Sequence, residues 1–265
     1  MGEIGGIRGF IFDLDGVVYI GETPVKGAAE TLNYLRGKGK RIRFVTNKSD
    51  ESRGGYVRKL NRMGVECSER EVIPSSYGTA VYLKKKYGGG RCFVIGGRGV
   101  IEELKKHGFE IVSGREGEKA DFVVVGIDRK FNYEKLKVGM RAVMNGAKFI
   151  ATNRDCTKPS EDGLVPGAGA MIAALEACTG VKPEVVIGKP NRMLFEIAVR
   201  EMGLKRKEVA VVGDKIDTDV AGGRRVGLYT ILVLTGITKR EDLRINRESK
   251  PDLVVESISE LMKLF

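Results

Sequence analysis

The chain has 265 residues, of which 42% are hydrophobic and 31% are charged, and its formal net charge is +11. This balance predicts a globular protein with a sizeable core and excludes an extended disordered chain. Apolar runs such as 122–125 and 231–234 are too short to cross a bilayer, so no membrane partner is expected.

The excess of positive charge lies in clusters such as 36–43 and 84–86. No aromatic residues interleave with these clusters, so we interpret them as solvated helix faces that attract anionic substrates, and nucleic acid is not an expected partner. No secretory segment is visible and no Cys-x-x-Cys pair occurs, which together predict a cytoplasmic protein with reduced thiols. The chain has no glutamine and is rich in Lys, Arg and Glu, a composition typical of thermophiles.

Short apolar runs rich in β-branched residues alternate with helical stretches along the chain. Strands are predicted at 9–14, 42–46, 92–95, 122–127, 148–152, 185–187, 209–212 and 229–234. Helices are predicted at 28–38, 51–63, 78–86, 100–107, 133–145, 169–178, 193–202 and 217–226. This alternation predicts an α/β fold with a doubly wound parallel sheet.

Two breaks divide the pattern. Glycines 88–90 follow a predicted helix, and the segment 180–183 interrupts the chain before the strand at 185. The stretch between them has the size of a small α/β domain. We therefore predict a core domain formed by residues 1–77 and 182–265, with residues 78–181 inserted into it as a second α/β domain.

The first polar cluster that follows an apolar strand contains Asp13, Asp15 and Gly16. Two carboxylates about 4 Å apart repel by about 4 kcal/mol at an effective dielectric constant of about 20, so a cation or a bound proton must offset them. A polar turn that simply closes the strand explains this cluster equally well.

The second and third clusters are weaker when each is taken alone. Thr46 and Asn47 follow a strand and precede a helix, where they could hold phosphate oxygens or form an ordinary helix N-cap. Lys189 follows a strand and precedes Pro190, and a surface lysine in a turn is the simpler interpretation.

The fourth cluster follows the strand predicted at 209–212. Asp214 comes after this strand and Gly213, and Asp219 lies about one turn further on. A loop rich in capping residues is the alternative, whereas an EF-hand is excluded by the spacing of the acidic residues and by the missing central glycine. All four clusters lie at the carboxyl ends of predicted strands, where open α/β sheets build their active sites.

In this order, the four clusters resemble the haloacid dehalogenase superfamily of phosphatases, and most closely its NagD-like, p-nitrophenyl phosphatase-like branch. The resemblance covers nearly the whole chain and rests on the motifs at 13–19, 46–47, 151–155, 166–169, 188–190, 213–214 and 218–219. It implies a Rossmann-like core with an inserted α/β cap of the C2 type at 78–181. Lys48 and Arg154 depart from the branch, which commonly has asparagine and proline at these positions, and the departures bear on substrate preference.

The resemblance also implies a function, namely hydrolysis of small phosphate monoesters such as sugar phosphates or p-nitrophenyl phosphate through an aspartyl-phosphate. Asp13 would be the nucleophile and Asp15 the acid and base, which indicates release of a hydroxyl group from an ester. Mg²⁺ would bind Asp13, the backbone carbonyl of Asp15, and Asp214. Asp219 would orient a water molecule of the metal.

The resemblance also implies which residues bind the substrate. Thr46, Asn47 and Lys189 would hold the phosphate oxygens, with Thr46 and Lys189 contributing to catalysis. Asn153, Arg154 and Asp155 are candidates for binding the organic part of the substrate, and a simple turn after the strand is an equally weighted interpretation. The expected partner is a small phosphorylated metabolite, and a homodimer is compatible with the branch.

Two other classes of protein share some of these features. Phosphorelay receiver domains also combine acidic residues, threonine and lysine on a doubly wound sheet, but they are about half this length and their phosphorylated aspartate follows the third strand. A non-catalytic protein that binds a phosphometabolite is harder to separate from a phosphatase. The complete set of expected catalytic residues favours the phosphatase.

Overall fold

The computed structural model describes residues 4–160, 163–244 and 250–265. Its strands are β1 (Gly9–Phe12), β2 (Tyr19–Ile20), β3 (Thr23–Pro24), β4 (Arg41–Thr46), β5 (Val72–Pro74), β6 (Gly90–Ile95), β7 (Phe109–Val112), β8 (Phe122–Val125), β9 (Lys148–Ala151), β10 (Thr157–Ser160), β11 (Gly163–Pro166), β12 (Val185–Val186), β13 (Val209–Gly213), β14 (Tyr229–Val233) and β15 (Leu253–Val255). Its α-helices are α1 (Ala28–Gly37), α2 (Arg53–Arg62), α3 (Ser75–Tyr87), α4 (Arg98–Lys106), α5 (Gly114–Gly117), α6 (Tyr133–Met144), α7 (Ala168–Thr179), α8 (Met193–Met202) and α9 (Ala221–Val226).

The chain forms two compact units. The first consists of Met1–Thr46, Tyr56–Ile73 and Lys189–Phe265, and the second of Asn47–Gly55 and Pro74–Gly188. The inserted domain predicted at 78–181 lies within the second unit, which extends beyond it at both ends. The two predicted boundaries themselves stay predictions.

The first unit contains a six-stranded sheet in the order β15-β14-β13-β1-β4-β5. Strand β1 pairs in parallel with β13 on one side and with β4 on the other. All four residues of β1 are buried, and Phe10 and Phe12 stack with ring centroids 5.7 Å apart. Because the chain leaves β1 toward β4 and returns later to β13, the carboxyl end of β1 lies where a doubly wound sheet binds its ligands.

The second unit has its own sheet, in the order β12-β9-β8-β6-β7, and its pairs are parallel. Residues from α6 and α7 form a core on one face of this sheet, and residues from α3 and α4 form a core on the other. Every residue of β8 is therefore buried, as the uninterrupted apolar sequence of this strand predicts. The predicted α/β fold with a parallel sheet and a second α/β unit is confirmed.

The segment Asn47–Gly55 packs within the second unit because glycines leave room for it. A Cβ atom on Gly99 would lie 2.0 Å from the carbonyl oxygen of Glu51, and one on Gly97 would lie 2.8 Å from the Cα of Asp50. The absence of side chains at Gly97 and Gly99 therefore serves close packing.

The structure differs from the sequence predictions mainly at short elements. The strands β5, β7 and β15 and the two hairpins, β2 with β3 and β10 with β11, were not predicted, since runs of two to four residues carry little periodicity. The predicted helix at 217–226 begins instead as a π-helical turn, Ile216–Val220, that continues into α9. None of the described helices has both the length and the apolar character that a membrane span requires.

Candidate active site

Three adjacent strands of the first sheet, β13, β1 and β4, are each followed by or end in a polar residue at the same edge. Asp13 follows β1, Thr46 is the last residue of β4, and Asp214 follows β13. The amide of Asp13 still donates to the carbonyl of Val212 (2.9 Å), so the ladder holds its backbone although the strand ends at Phe12. The sequence predicted a strand to residue 14, which is two residues too long because the chain turns here.

Lys189 is the cation at the centre of this edge. Its Nζ lies 2.7 Å from Oδ1 of Asp13 and 2.6 Å from Oδ1 of Asp219, and the residue is only 5% exposed. Burial lowers the pKa of Lys189, but the two carboxylates outweigh burial and raise it overall, so the ammonium stays charged. The structure therefore corrects the interpretation of Lys189 as a surface lysine in a turn.

Three carboxyl groups share this edge. One oxygen from each of Asp13, Asp214 and Asp219 lies within 4.8 Å of the other two. Burial raises the pKa of Asp13 well above its usual value, and the charges of Asp219 and Asp214 raise it further against the opposing effect of Lys189. The sequence predicted repulsion between Asp13 and Asp15, whereas the carboxylates that raise the pKa of Asp13 come from the fourth cluster.

Asp214 is also buried. Burial, followed by the charge of Asp219, raises the pKa of Asp214 to about 6, and the amide of Ile237 opposes this by donating to Oδ2 at 2.7 Å. Ile237 lies in the loop after β14, which sequence reasoning did not identify. Polar residues that follow a strand were the signal used for the other clusters, and Thr235 in this loop would have met that criterion.

Asp219 reaches the site through the π-helical turn. Oδ2 of Asp219 accepts from the amide of Lys215 (3.2 Å), and Oδ1 is paired with Lys189. A Cβ atom on Gly213 would lie 2.2 Å from the Cβ of Asp219, so glycine is required at this strand end. The sequence predicted that Asp219 orients a water molecule, and the structure adds an ion pair with Lys189 that the sequence did not predict.

Asp15 and Thr46 complete the predicted residues of the first unit. Asp15 forms an isolated β-bridge with Tyr19, and Gly16, which follows Asp15, turns the chain at a φ of 80°. Thr46 is buried at the end of β4. The first unit thus brings Asp13, Asp214, Asp219 and Lys189 into direct proximity, whereas the roles of Asp15 and Thr46 stay predictions.

The remaining predicted residues lie in the second unit. The amide Nδ2 of Asn47 donates to Oδ2 of Asp155 (3.0 Å), and Nδ2 of Asn153 donates to the carbonyl of Asn47 (2.7 Å). Asn153 also accepts from the amide of Asp155 (3.0 Å) and is buried. Arg154 pairs with Glu176 (2.6 Å) and is half exposed. Asn153 therefore orders the turn after β9, and substrate binding by these residues stays a prediction.

The donor set of the first unit fits a divalent cation. The carboxyl oxygens are hard ligands, and their mutual repulsion in a buried site is relieved by a bound positive charge. Both carboxylate oxygens of Asp219 are engaged, Oδ1 by Lys189 and Oδ2 by the amide of Lys215. Lys189 contacts Oδ1 of Asp13 and the amide of Ile237 contacts Oδ2 of Asp214, so these two carboxylates suit direct coordination through their other oxygen.

The raised pKa values predict a pH-dependent effect of metal on stability. A carboxyl group whose pKa is raised in the folded state stabilises the fold below its unfolded pKa, and this contribution is lost as the pH rises through the folded value, here about 6 for Asp214. Without metal, the protein should therefore lose stability between about pH 4 and pH 7, and Mg²⁺ should raise the melting temperature more at about pH 7.5 than at about pH 5.

Thermal melting with Mg²⁺ and with EDTA at both pH values measures this effect. The control is replacement of Asp217 by asparagine. Asp217 is an exposed residue of the π-helical turn Ile216–Val220, and its replacement should leave the pH dependence of the melting temperature unchanged. Equal stabilisation by Mg²⁺ at both pH values would contradict a site that contains Asp13 and Asp214.

Comparison with known proteins identifies the family of the chain. Residues 10–110 match the model of the haloacid dehalogenase-like hydrolases, and residues 186–261 match a second, HAD-hydrolase-like model. Among curated relatives, the 5′-nucleotidase YutF of Bacillus subtilis is 38% identical over 253 residues, which cover 96% of this chain and 96% of the relative.

Solved structures extend the similarity over the whole fold. The p-nitrophenyl phosphatase from Archaeoglobus fulgidus is 40% identical with a TM-score of 0.91, and the match covers 98% of this chain and 99% of that one. The glycerol phosphate phosphatase from Mycobacterium tuberculosis, in complex with calcium, is 31% identical with a TM-score of 0.90, and the match covers 97% of this chain and 75% of that one. The chain therefore belongs to the haloacid dehalogenase-like hydrolases and is a phosphatase of that family.

Proposed function

We propose that this phosphatase hydrolyses small phosphate monoesters with the help of Mg²⁺, through an aspartyl-phosphate on Asp13. The observation that carries the proposal is the position of Asp13 at the end of β1, in contact with the buried cation Lys189 and beside Asp214. The named activities of the relatives, on nucleotides, p-nitrophenyl phosphate and glycerol phosphate, support a small ester as substrate.

The first step forms a bond between a carboxylate oxygen of Asp13 and phosphorus while the ester oxygen leaves. Asp15 donates a proton to that leaving oxygen, and its carboxylate then takes a proton from the water that attacks the phosphorus of the aspartyl-phosphate. The second step releases inorganic phosphate and regenerates Asp13.

Lys189 contributes electrostatically to both steps. Its ammonium group contacts Asp13, so it lies beside the phosphoryl group that this carboxylate would carry. Its paired carboxylates keep it charged, and a fixed buried cation stabilises the charge that develops on the phosphoryl oxygens. Thr46, at the end of β4, would donate its hydroxyl to the same oxygens.

Asp13, the backbone carbonyl of Asp15, and Asp214 would hold Mg²⁺. When bound, the ion would offset the repulsion among the carboxylates and neutralise charge on the phosphate. Asp219 would act on the site by fixing Lys189, with which it is paired.

The proposal extends to the location, the partner and the specificity of the enzyme. We propose a cytoplasmic location, supported by the four cysteines, all of which are free thiols, and a small phosphorylated metabolite as the partner. Asn47, Asn153, Arg154 and Asp155 are proposed to influence which ester is accepted, and a homodimer is compatible with this proposal. The composition supports a thermophilic source.

Release of phosphate from p-nitrophenyl phosphate, measured with Mg²⁺ and with EDTA, tests the proposed function. We expect turnover with Mg²⁺ and a loss of at least about a hundredfold with EDTA, because the ion neutralises charge in the transition state. A screen of nucleotides, sugar phosphates and glycerol phosphate would then identify the preferred class. Equal turnover in EDTA, or no turnover of any of these esters with any divalent cation, would contradict the proposal.

A further inference from the structure

The loop that follows β14, residues 234–238, contacts two separate parts of the candidate site. It contains Thr235, Gly236, Ile237 and Thr238, and none of the four polar clusters found in the sequence includes it. The inference below rests on the proposed function, because it concerns how the carboxylate and carbonyl groups of that site are held.

The first contact is with Asp214. The amide of Ile237 donates to Oδ2 of Asp214 (2.7 Å), and the amide of Thr238 donates to the backbone carbonyl of Asp214 (3.1 Å). Two bonds to one residue fix both its backbone and the rotation of its carboxylate. One carboxylate oxygen, Oδ2, is thereby occupied, so Oδ1 is the oxygen through which Asp214 would bind a cation.

The second contact is with the turn after β1. The hydroxyl Oγ1 of Thr235 donates to the backbone carbonyl of Gly16 at 2.6 Å. Gly16 directly follows Asp15, whose carbonyl is a proposed metal ligand, and the amide of Gly16 donates to the carbonyl of Tyr19 (2.8 Å). The peptide group on one side of Gly16 is thus held by Tyr19 and the peptide group on the other side by Thr235.

The loop at Gly236, the turn at Gly16 and the carboxylate of Asp214 approach one another so closely that a side chain on either glycine would not fit. A Cβ atom on Gly236 would lie 2.0 Å from Oδ2 of Asp214, and one on Gly16 would lie 2.5 Å from the same oxygen. A Cβ atom on Gly16 would also lie 3.0 Å from the Cα of Gly236. The loop therefore packs directly on the carboxylate and on the turn at once, which leaves neither of them room to shift.

We propose that Thr235 is a positioning residue of the metal site, which locks the turn at Asp15 and Gly16 onto the loop that orients Asp214. The hydroxyl of Thr235 ties the loop that holds Asp214 to the turn of the first cluster, although Thr235 and Gly16 are 219 residues apart in the chain. Loss of this link frees the carbonyl of Asp15 relative to Asp214, so the ligands no longer keep the spacing that a small cation with strict octahedral geometry demands.

The test compares Thr235→Val, which removes the hydroxyl at nearly constant volume, with Thr235→Ser, which retains it. A titration of the melting temperature with Mg²⁺ gives the affinity of each protein without any turnover. We expect Thr235→Val to bind Mg²⁺ about tenfold more weakly than wild type, as is usual for the loss of a group that supports a metal ligand, and Thr235→Ser to bind it within about threefold.

Thr31→Val is the matched control. The hydroxyl of Thr31 donates to the carbonyl of Gly27, also at 2.6 Å, but this bond lies at the start of α1, which contains no residue of the four polar clusters. Its removal should lower the melting temperature in EDTA to a similar extent as Thr235→Val and leave the affinity for Mg²⁺ unchanged. With p-nitrophenyl phosphate, Thr235→Val should need about tenfold more Mg²⁺ for half-maximal rate, while its KM at saturating Mg²⁺ changes little.

Unaltered Mg²⁺ affinity in Thr235→Val would overturn the proposal, as would an equal loss in Thr31→Val or no recovery in Thr235→Ser. Because the thermal titration does not depend on catalysis, it tests the positioning role of Thr235 independently of the proposed phosphatase function. A wild type that binds Mg²⁺ but hydrolyses no ester would contradict the proposed function and leave the positioning role measurable, whereas a wild type that binds no Mg²⁺ would overturn the positioning role.

Discussion

Replacement of Asp13 by asparagine is expected to reduce phosphatase activity by about four orders of magnitude or more, since an amide cannot act as the nucleophile. The same change should not unfold the protein. Burial and the charges of Asp219 and Asp214 raise the pKa of Asp13. In the absence of metal, the ionised carboxylate of Asp13 therefore destabilises the fold. A neutral amide of the same size removes this destabilisation.

Asp13→Asn should therefore melt at an equal or higher temperature than wild type in EDTA, and Mg²⁺ should stabilise it less. Steady-state kinetics with p-nitrophenyl phosphate and thermal melting of the same samples measure both effects. Asp217→Asn removes an exposed carboxylate of the π-helical turn and should retain activity within about twofold. Activity of Asp13→Asn above about a hundredth of wild type would contradict its role as nucleophile.

Replacement of Lys189 by methionine should have the second largest effect, on catalysis and on stability together. Without the ammonium group, the phosphoryl oxygens lose their cation, and we expect kcat to fall by about 10² to 10³. The carboxylates of Asp13 and Asp219 would then be buried without their counter-charge, which is expected to lower the free energy of unfolding by about 3–5 kcal/mol in EDTA.

Two further measurements distinguish this explanation from a general defect in folding. Mg²⁺ should restore much of the stability of Lys189→Met, because it supplies positive charge to Asp13, but should not restore kcat. Asp219→Asn introduced into Lys189→Met should also recover stability, so the two changes should be strongly non-additive. Chemical unfolding in EDTA and in Mg²⁺ measures these effects, and additive losses would contradict a functional pair of Lys189 and Asp219.

The sequence was sufficient for the parts of the site that follow directly from strand ends. Asp13, Thr46 and Asp214 lie at the carboxyl ends of β1, β4 and β13, and these strands are recognisable from their apolar runs. In a doubly wound parallel sheet, strands that are distant in the sequence lie side by side, as β13 and β1 do here. The first, second and fourth clusters could therefore be assigned to one edge before the fold was known. Lys189 could not, because the strand that precedes it, β12, belongs to the sheet of the second unit.

Contacts that depend on local irregularity could not be predicted. The pairing of Lys189 with Asp219 requires the π-helical turn and the absence of a side chain at Gly213, and neither feature has a periodic signature. The contact of Thr235 with Gly16 likewise depends on close approach of two loops. The segment Asn47–Gly55 packs in the second unit because Gly97 and Gly99 leave room for it, which spacing alone did not reveal.

The most direct test of the central claim is chemical trapping of the phosphorylated enzyme. Acid quenching during turnover of p-nitrophenyl phosphate, followed by borohydride reduction, converts an aspartyl-phosphate into homoserine, which peptide mass spectrometry locates in the chain. We predict that the homoserine is found at position 13 in wild type and at no position in Asp13→Asn. Turnover without a trapped residue, or trapping at Asp15, Asp214 or Asp219 instead, would contradict the assignment of Asp13 as the nucleophile.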